Sequence, residues 1–193
     1  MSEITATSRI DGTAIPVRGN NIDTDRIIPA RFLKSITFEG LGDHLFEDDR
    51  QSMPNHPFSN PSYAGASILL ANENFGSGSS REHAPQSLYR AGFRAIIAEN
   101  FAEIFFGNCT TLGLVCVSAT RADINQLGEF LLADPSLEIT VDLDTCEVHT
   151  SKMTFSCSVP STARDALRAG GGSSEQRILV CSPLPEEGKT FCA

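Results

Sequence analysis

Residues 74–92 read NFGSGSSREHAPQSLYRAG. Two glycines, three serines in four positions, an arginine, a glutamate and a histidine fall within one bend. The apolar run ASILLAN comes just before it and a helical pattern just after. A loop that leaves a buried strand and opens a helix is where open α/β sheets bind ligands. Its free N–H groups and the helix dipole favour an anion. Arg81 adds a planar fork that can hold a carboxylate through two hydrogen bonds. The loop therefore suits an anion with a serine hydroxyl beside it. A plainer reading stands next to this one: Ser79 as N-cap with Glu82 three residues on is a capping box, and Gly76 and Gly78 then serve only the turn. A dinucleotide loop is excluded, because Arg81 stands where the third glycine of G-x-G-x-x-G belongs. A P-loop is excluded by the missing G-K-[ST].

A second polar cluster, NNIDTDRIIP, spans residues 20–29. Asp23 and Asp25 flank Thr24, and Arg26 follows. It reads either as a solvated turn with local Asx bonds or as the source of a carboxylate for the serine loop. The spacing leaves both open.

These segments need a scaffold, and the rest of the chain supplies one. GTAIPV, ASILLAN, FRAIIAE and GLVCVSA read as strands, the last three short and apolar between turn signals. The helix after the serine loop should end near Gly92, a natural C′ residue. NFAEIFFGN reads as a helix with Phe101, Ile104 and Phe105 on one face, and RADINQLGEFLLADP as an amphipathic helix stopped at Pro135. LEITVDLDTCEVHT and KMTFSCSV read as hairpin material, and STARDALRAGG as a last helix. The three-proline stretch RQSMPNHPFSNPSYAG reads as a surface connection. Alternating strand and helix predicts an α/β fold with a mostly parallel central sheet and added β-hairpins. One domain over residues 1–170 is expected, with residues 171–193 as a tail.

Composition narrows the class. The 193 residues are 40% hydrophobic and 20% charged, enough for a packed core. The formal net charge is −9, the wrong sign for nucleic acid or an anionic membrane surface. No run is long enough to span a membrane, and the start lacks a secretory pattern. Six cysteines without a C-x-x-C pair, several inside apolar runs, read as reduced thiols in a cytoplasmic protein. The four histidines lack ligand spacing.

DTDRIIPARF, NFGSGSSREHAPQSL and AIIAENFAEIFFGN, in that order, closely resemble the swivelling domain of the aconitase superfamily, most of all its two-subunit isopropylmalate branch. The resemblance implies a three-layer β/β/α swivelling fold. It implies a small subunit of a hydro-lyase, inactive without a large subunit that carries a [4Fe–4S] cluster, and no metal or cofactor on this chain. The reaction implied is dehydration of 2-isopropylmalate to 2-isopropylmaleate and rehydration to 3-isopropylmalate, in leucine biosynthesis. By the same resemblance Ser79 matches the base, acting as an alkoxide. Ser80 and Arg81 match the carboxylate-binding positions, and Asp25 the active-site aspartate. Gly76, Gly78, Glu82 and His83 fall to supporting roles. Residues 31–41, RFLKSITFEGL, resemble the loop that reads the substrate's third substituent. Leu33, Ile36 and Phe38 suit an isopropyl group, whereas Arg31 or Lys34 turned inward would suit a carboxylate. Small subunits acting on citramalate, dimethylmalate or homoaconitate remain alternatives, as does a stand-alone anion-binding regulatory module. The chain departs from the pattern at Ser77, where relatives often carry cysteine, and near its C-terminus.

Overall fold

The computed structural model describes residues 7–34 and 38–170. Ile36, the side chain of Lys34 and the tail at 171–193 lie outside the described residues.

The first strand, β1 (Arg9–Val17), changes partner halfway along. Residues 9–13 pair antiparallel with β5 (Glu138–Asp142), and residues 14–17 pair parallel with β2 (Ile68–Ala71). Beyond β2 lie β3 (Ala95–Ala98) and β4 (Val115–Ser118), both parallel. Beyond β5 lie β6 (Glu147–Thr150) and β7 (Thr154–Ser156), both antiparallel. The order β4-β3-β2-β1-β5-β6-β7 is thus a parallel centre with a hairpin wing, the expected α/β architecture curled into a half-barrel.

The parallel strands are buried on both faces, and their side chains divide by alternation. Ile15, Val17, Leu69, Ala71, Ile96, Ala98 and Cys116 face one core. Ala14, Ile68, Leu70, Ala95, Ile97, Val115 and Val117 face the other, with Ile139, Val141, Val148 and Phe155 of the wing. The helix α5 (Arg121–Ala133) covers the second face through Ile124, Leu127 and Leu131. Its first turn is capped by Thr120, whose hydroxyl accepts from Asp123 N–H. A last helix, α6 (Ser161–Arg168), adds Leu167 to the same core.

Two helices frame the loop at 74–82. The first, α3 (His83–Arg90), ends as expected. Gly92 sits at φ 102°, Phe93 N–H donates to Leu88 O, and Gly92 N–H donates to Tyr89 O, a Schellman closure. Its start differs from the capping-box reading: the residue before the helix is Glu82, which makes no side-chain cap. The second, α4 (Glu103–Leu112), also differs from its expected face. Phe105 and Cys109 are buried one turn apart, whereas Ile104 is 57% exposed. Its spacing from Phe101 placed it on the core stripe, but the helix begins only at Glu103, so Phe101 lies outside the helical phase.

Candidate active site

The loop after β2 is laid against the segment after β1. Asp23 and Ser77 form a parallel bridge. Gly76 N–H donates to Ile22 O at 2.8 Å, and Thr24 N–H to Ser77 O at 2.9 Å. Thr24 Oγ1 then donates to Ser79 O at 3.0 Å. Residues 74 and 21 are stitched in the same way: Asn74 Nδ2 donates to Asn21 Oδ1 at 2.8 Å. This pairing holds residues 77–79 out of the helix, which starts at His83 rather than at Ser79.

Gly76 is required by sterics. Its φ is 78°, and a Cβ there would lie 2.1 Å from Phe105 Cγ. The ring of Phe105 in turn stands edge-on to Phe75, with centroids 5.4 Å apart. Gly78, at φ 89°, passes Asp23 so closely that a Cβ would sit 3.2 Å from its Cβ.

The two aspartates divide their roles. Asp23 Oδ1 accepts from Arg26 N–H at 2.8 Å, so it caps the short helix α1 (Thr24–Ile27) where a loop was expected. Asp25 Oδ1 accepts from Arg81 Nη1. Spacing alone could not separate these two; the helical turn at Thr24 does, by sending adjacent carboxylates in different directions. Arg26 is anchored elsewhere, on Asp49 of α2 (Glu47–Ser52), at 2.8 Å.

Ser79, Ser80 and Arg81 line one cleft of about 220 Å³ with Thr24, Gly76 and Gly78. Ala102, Glu103, Ile104 and Phe105 form its other side. Among the described residues, the hydroxyls of Ser79 and Ser80 have no hydrogen-bond partner, and the N–H groups of residues 79–82 have no acceptor. A concavity of free N–H groups beside a guanidinium is an anion cradle. One side of the cleft carries a guanidinium and two hydroxyls, and the other is apolar apart from Glu103. Glu82 lies outside it, accepting from Gln86 Nε2 at 3.2 Å.

The 31–38 segment reaches the site from the side. Phe38 meets the ring of His83 edge-on, centroids 5.1 Å apart, two residues past Arg81. Neither Leu33 nor Phe38 lines the cleft itself. His83 has this ring contact and no hydrogen bond among the described residues. Arg31 is turned away: it pairs with Glu47 and Asp48 of α2, both at 2.7 Å. The carboxylate pairing holds its guanidinium pKa above the ordinary value, Glu47 contributing most.

Five lining residues fall outside the expected site: Thr24, which the sequence offers only as the residue between two aspartates, Ala102 and Glu103, and Ile104 and Phe105, whose spacing suggests a core face. A larger hollow, about 470 Å³, opens between Ala66 and Phe93, and none of the expected site residues lines it. The smaller cleft is the one that brings together the Arg81 guanidinium and the hydroxyls of Ser79 and Ser80.

Among the described residues the thiols do not fit an iron–sulfur cluster, which needs several cysteine sulfurs around one site. Cys109, Cys116 and Cys157 are buried among apolar side chains. Burial pushes the Cys157 thiol up to about 11. Among the described residues, no group of three or more His, Cys, Asp or Glu could hold a metal ion, and no helix is long and apolar enough to cross a membrane.

A mixed sheet whose first two parallel strands lead into a Thr-Asp turn and a Gly-Ser-rich arginine loop, joined by the Asp25–Arg81 ion pair, has clear relatives. Residues 5–122 match the aconitase C-terminal domain, and the chain belongs to that family. It is 53% identical to the 3-isopropylmalate dehydratase small subunit of Thermus thermophilus over 165 residues, 83% of this chain and 82% of that one. The 3-isopropylmalate dehydratase small subunit of Synechocystis is 48% identical over 163 residues, 84% of this chain and 82% of that one. A crystal structure of 3-isopropylmalate dehydratase from Methanocaldococcus jannaschii matches with a TM-score of 0.68 and 28% identity, covering 89% of this chain and 96% of that one.

Proposed function

We propose that this chain is the small subunit of a 3-isopropylmalate dehydratase, a hydro-lyase that isomerises 2-isopropylmalate to 3-isopropylmalate through 2-isopropylmaleate. The observation that carries the reading is the convergence of Ser79, Ser80 and Arg81 on one cleft, at 53% identity to a small subunit of that name. Arg81 and Ser80 hold a substrate carboxylate. Ser79 Oγ, as the alkoxide, removes a proton from the carbon next to that carboxylate. The hydroxyl leaves the neighbouring carbon, so proton and hydroxide together make the water lost. Rehydration returns both with their positions exchanged. A serine can serve as base only where its anion is stabilised, and Arg81 on the same cleft, with the unpaired N–H groups of Ser79 and Ser80, supports that role. Asp25 orients Arg81 through their ion pair.

The substituent side favours an alkyl group over a third carboxylate. Phe38 is apolar and meets His83 at the start of α3, Leu33 is an apolar residue of the same segment by sequence, and Arg31 is paired to α2. Ile36 belongs to the same segment by sequence.

The large subunit is the expected partner and the expected holder of the [4Fe–4S] cluster. The steps given above are only those this chain's residues can perform. With no spanning helix among the described residues, a cytoplasmic enzyme is the setting that fits. We take residues 1–170 as its one domain and 171–193 as a tail.

The test is reconstitution. The purified chain alone should carry no cluster absorbance and turn over nothing; mixed with a large subunit of the family, it should convert 2-isopropylmalate. A stoichiometric cluster on the chain alone, or a stable monomer that binds small anions but never assembles, would refute the proposal.

A further inference from the structure

Thr24 is 2% exposed, and both of its donors go to the serine loop. Its N–H holds Ser77 O at 2.9 Å and its hydroxyl holds Ser79 O at 3.0 Å. The two bonds grip either side of Gly78, a residue at φ 89° whose backbone would otherwise be the freest point of the loop. The side chain of Ser79 has no partner of its own among the described residues, and Ser79 caps no helix. Its hydroxyl is therefore aimed only by its backbone, and its carbonyl is held by Thr24. The next residue, Asp25, grips Arg81 by a separate ion pair. Two neighbouring residues thus control two different things: Thr24 the candidate base, Asp25 the carboxylate fork.

We infer that Thr24 is a positioning residue for Ser79, and that its hydroxyl, rather than its bulk, sets the direction of the base. This rests on the reading of Ser79 as base. The hydroxyl is required because valine has the same shape yet leaves Ser79 O without its donor. Serine keeps the donor and loses only a methyl group.

The test uses Thr24→Val and Thr24→Ser, with Thr24→Ala replacing the valine variant should it fail to fold. In the reconstituted pair, Thr24→Val should lower kcat about 10- to 100-fold, the scale of a misplaced catalytic group, with KM little changed because Asp25 still holds Arg81. Thr24→Ser should keep most of the wild-type kcat. In the isolated chain, backbone NMR order parameters at residues 78–80 should drop from the rigid range of about 0.85 toward about 0.6 in Thr24→Val and stay high in Thr24→Ser. Wild-type kcat in Thr24→Val, equal losses in both variants, or a loss confined to KM would overturn the inference. A wild-type pair without turnover would instead refute the proposed function on which the role of Ser79 rests, and the order parameters would then decide the grip of Thr24 alone.

Discussion

Arg81 and Asp25 stand 56 positions apart, and Nη1 of the guanidinium donates to Oδ1 of the carboxylate. Asp25 is half exposed and Arg81 largely covered, with side-chain exposures of 50% and 20%. One edge of a planar fork is thereby fixed while the rest of the guanidinium can meet a second carboxylate. The pair joins the segments after β1 and β2, the two adjacent parallel strands.

Arg81→Lys keeps the charge and removes the fork. A lysine cannot hold Asp25 and a substrate carboxylate in the same planar arrangement. Losing one charge-assisted bond is worth about 1.5–3 kcal/mol, so KM for isopropylmalate in the assembled enzyme should rise roughly 10- to 150-fold. Steady-state kinetics check this, and an unchanged KM would remove Arg81 from the carboxylate site.

Ser79→Ala should lower kcat by at least about 10²-fold, the scale of general-base loss, and KM much less. Because Ser79 is exposed and caps nothing, the fold should barely notice. The unfolding free energy of the isolated chain should change by less than about 0.5 kcal/mol. Full kcat in a folded Ser79→Ala enzyme would leave the hydroxyl without a catalytic role.

Gly76→Ala should do the opposite, damaging the fold before the chemistry. The new methyl would strike Phe105 at a backbone angle that L side chains rarely adopt. Left-handed strain and overpacking each cost about 1–3 kcal/mol, so urea unfolding should show a loss of at least about 2 kcal/mol. A wild-type midpoint would mean that α4 shifts freely, and that Phe105 does not brace the loop.

His56 gives the fold a pH dependence. It is 5% exposed, stacked near Phe46 and Phe58, and its Nδ1 accepts from Phe58 N–H at 3.3 Å. Burial pushes its pKa below the ordinary 6.5. The unfolded chain therefore binds a proton that the folded ring resists. Stability is full above the unfolded value and declines as pH falls below it, toward the folded value. Thermal melts between about pH 7.5 and about pH 5.5 should show a larger Tm drop in wild type than in His56→Gln. Equal drops in the two proteins would place the titration elsewhere.

Much of this was legible before any coordinates. The buried strands around Leu69, Ile96 and Cys116 announce themselves as short apolar runs between turns, and Gly92 marks the end of α3. Ser79 and Arg81 were legible by type and motif. The start of α3 was misread, because the capping signal from Ser79 to Glu82 is local. What defeats it is long-range: Thr24 and Asp23 pair with residues 77–79 and hold them out of the helix. Ile104 was misread because its spacing from Phe101 suggested a core stripe, while the helix begins after Phe101. The partner change in the middle of β1 left no trace in the pattern, since residues 9–17 form one unbroken strand. The different fates of Asp23 and Asp25 likewise depend on a single helical turn that the residues around them do not advertise.

The central proposal is an isopropylmalate enzyme whose 31–38 segment turns Arg31 away from the site, onto Glu47 and Asp48. It is tested most directly by kcat/KM of the reconstituted pair on isopropylmalate, citramalate and citrate. Each methylene in an apolar pocket discriminates by about 1–3 kcal/mol, and isopropyl exceeds methyl by two carbons. Isopropylmalate should therefore exceed citramalate by at least about tenfold. Citrate should rank last, because its third carboxylate would be desolvated without a partner while Arg31 stays paired with Glu47 and Asp48. Citrate turned over as well as isopropylmalate, or better, would contradict the account.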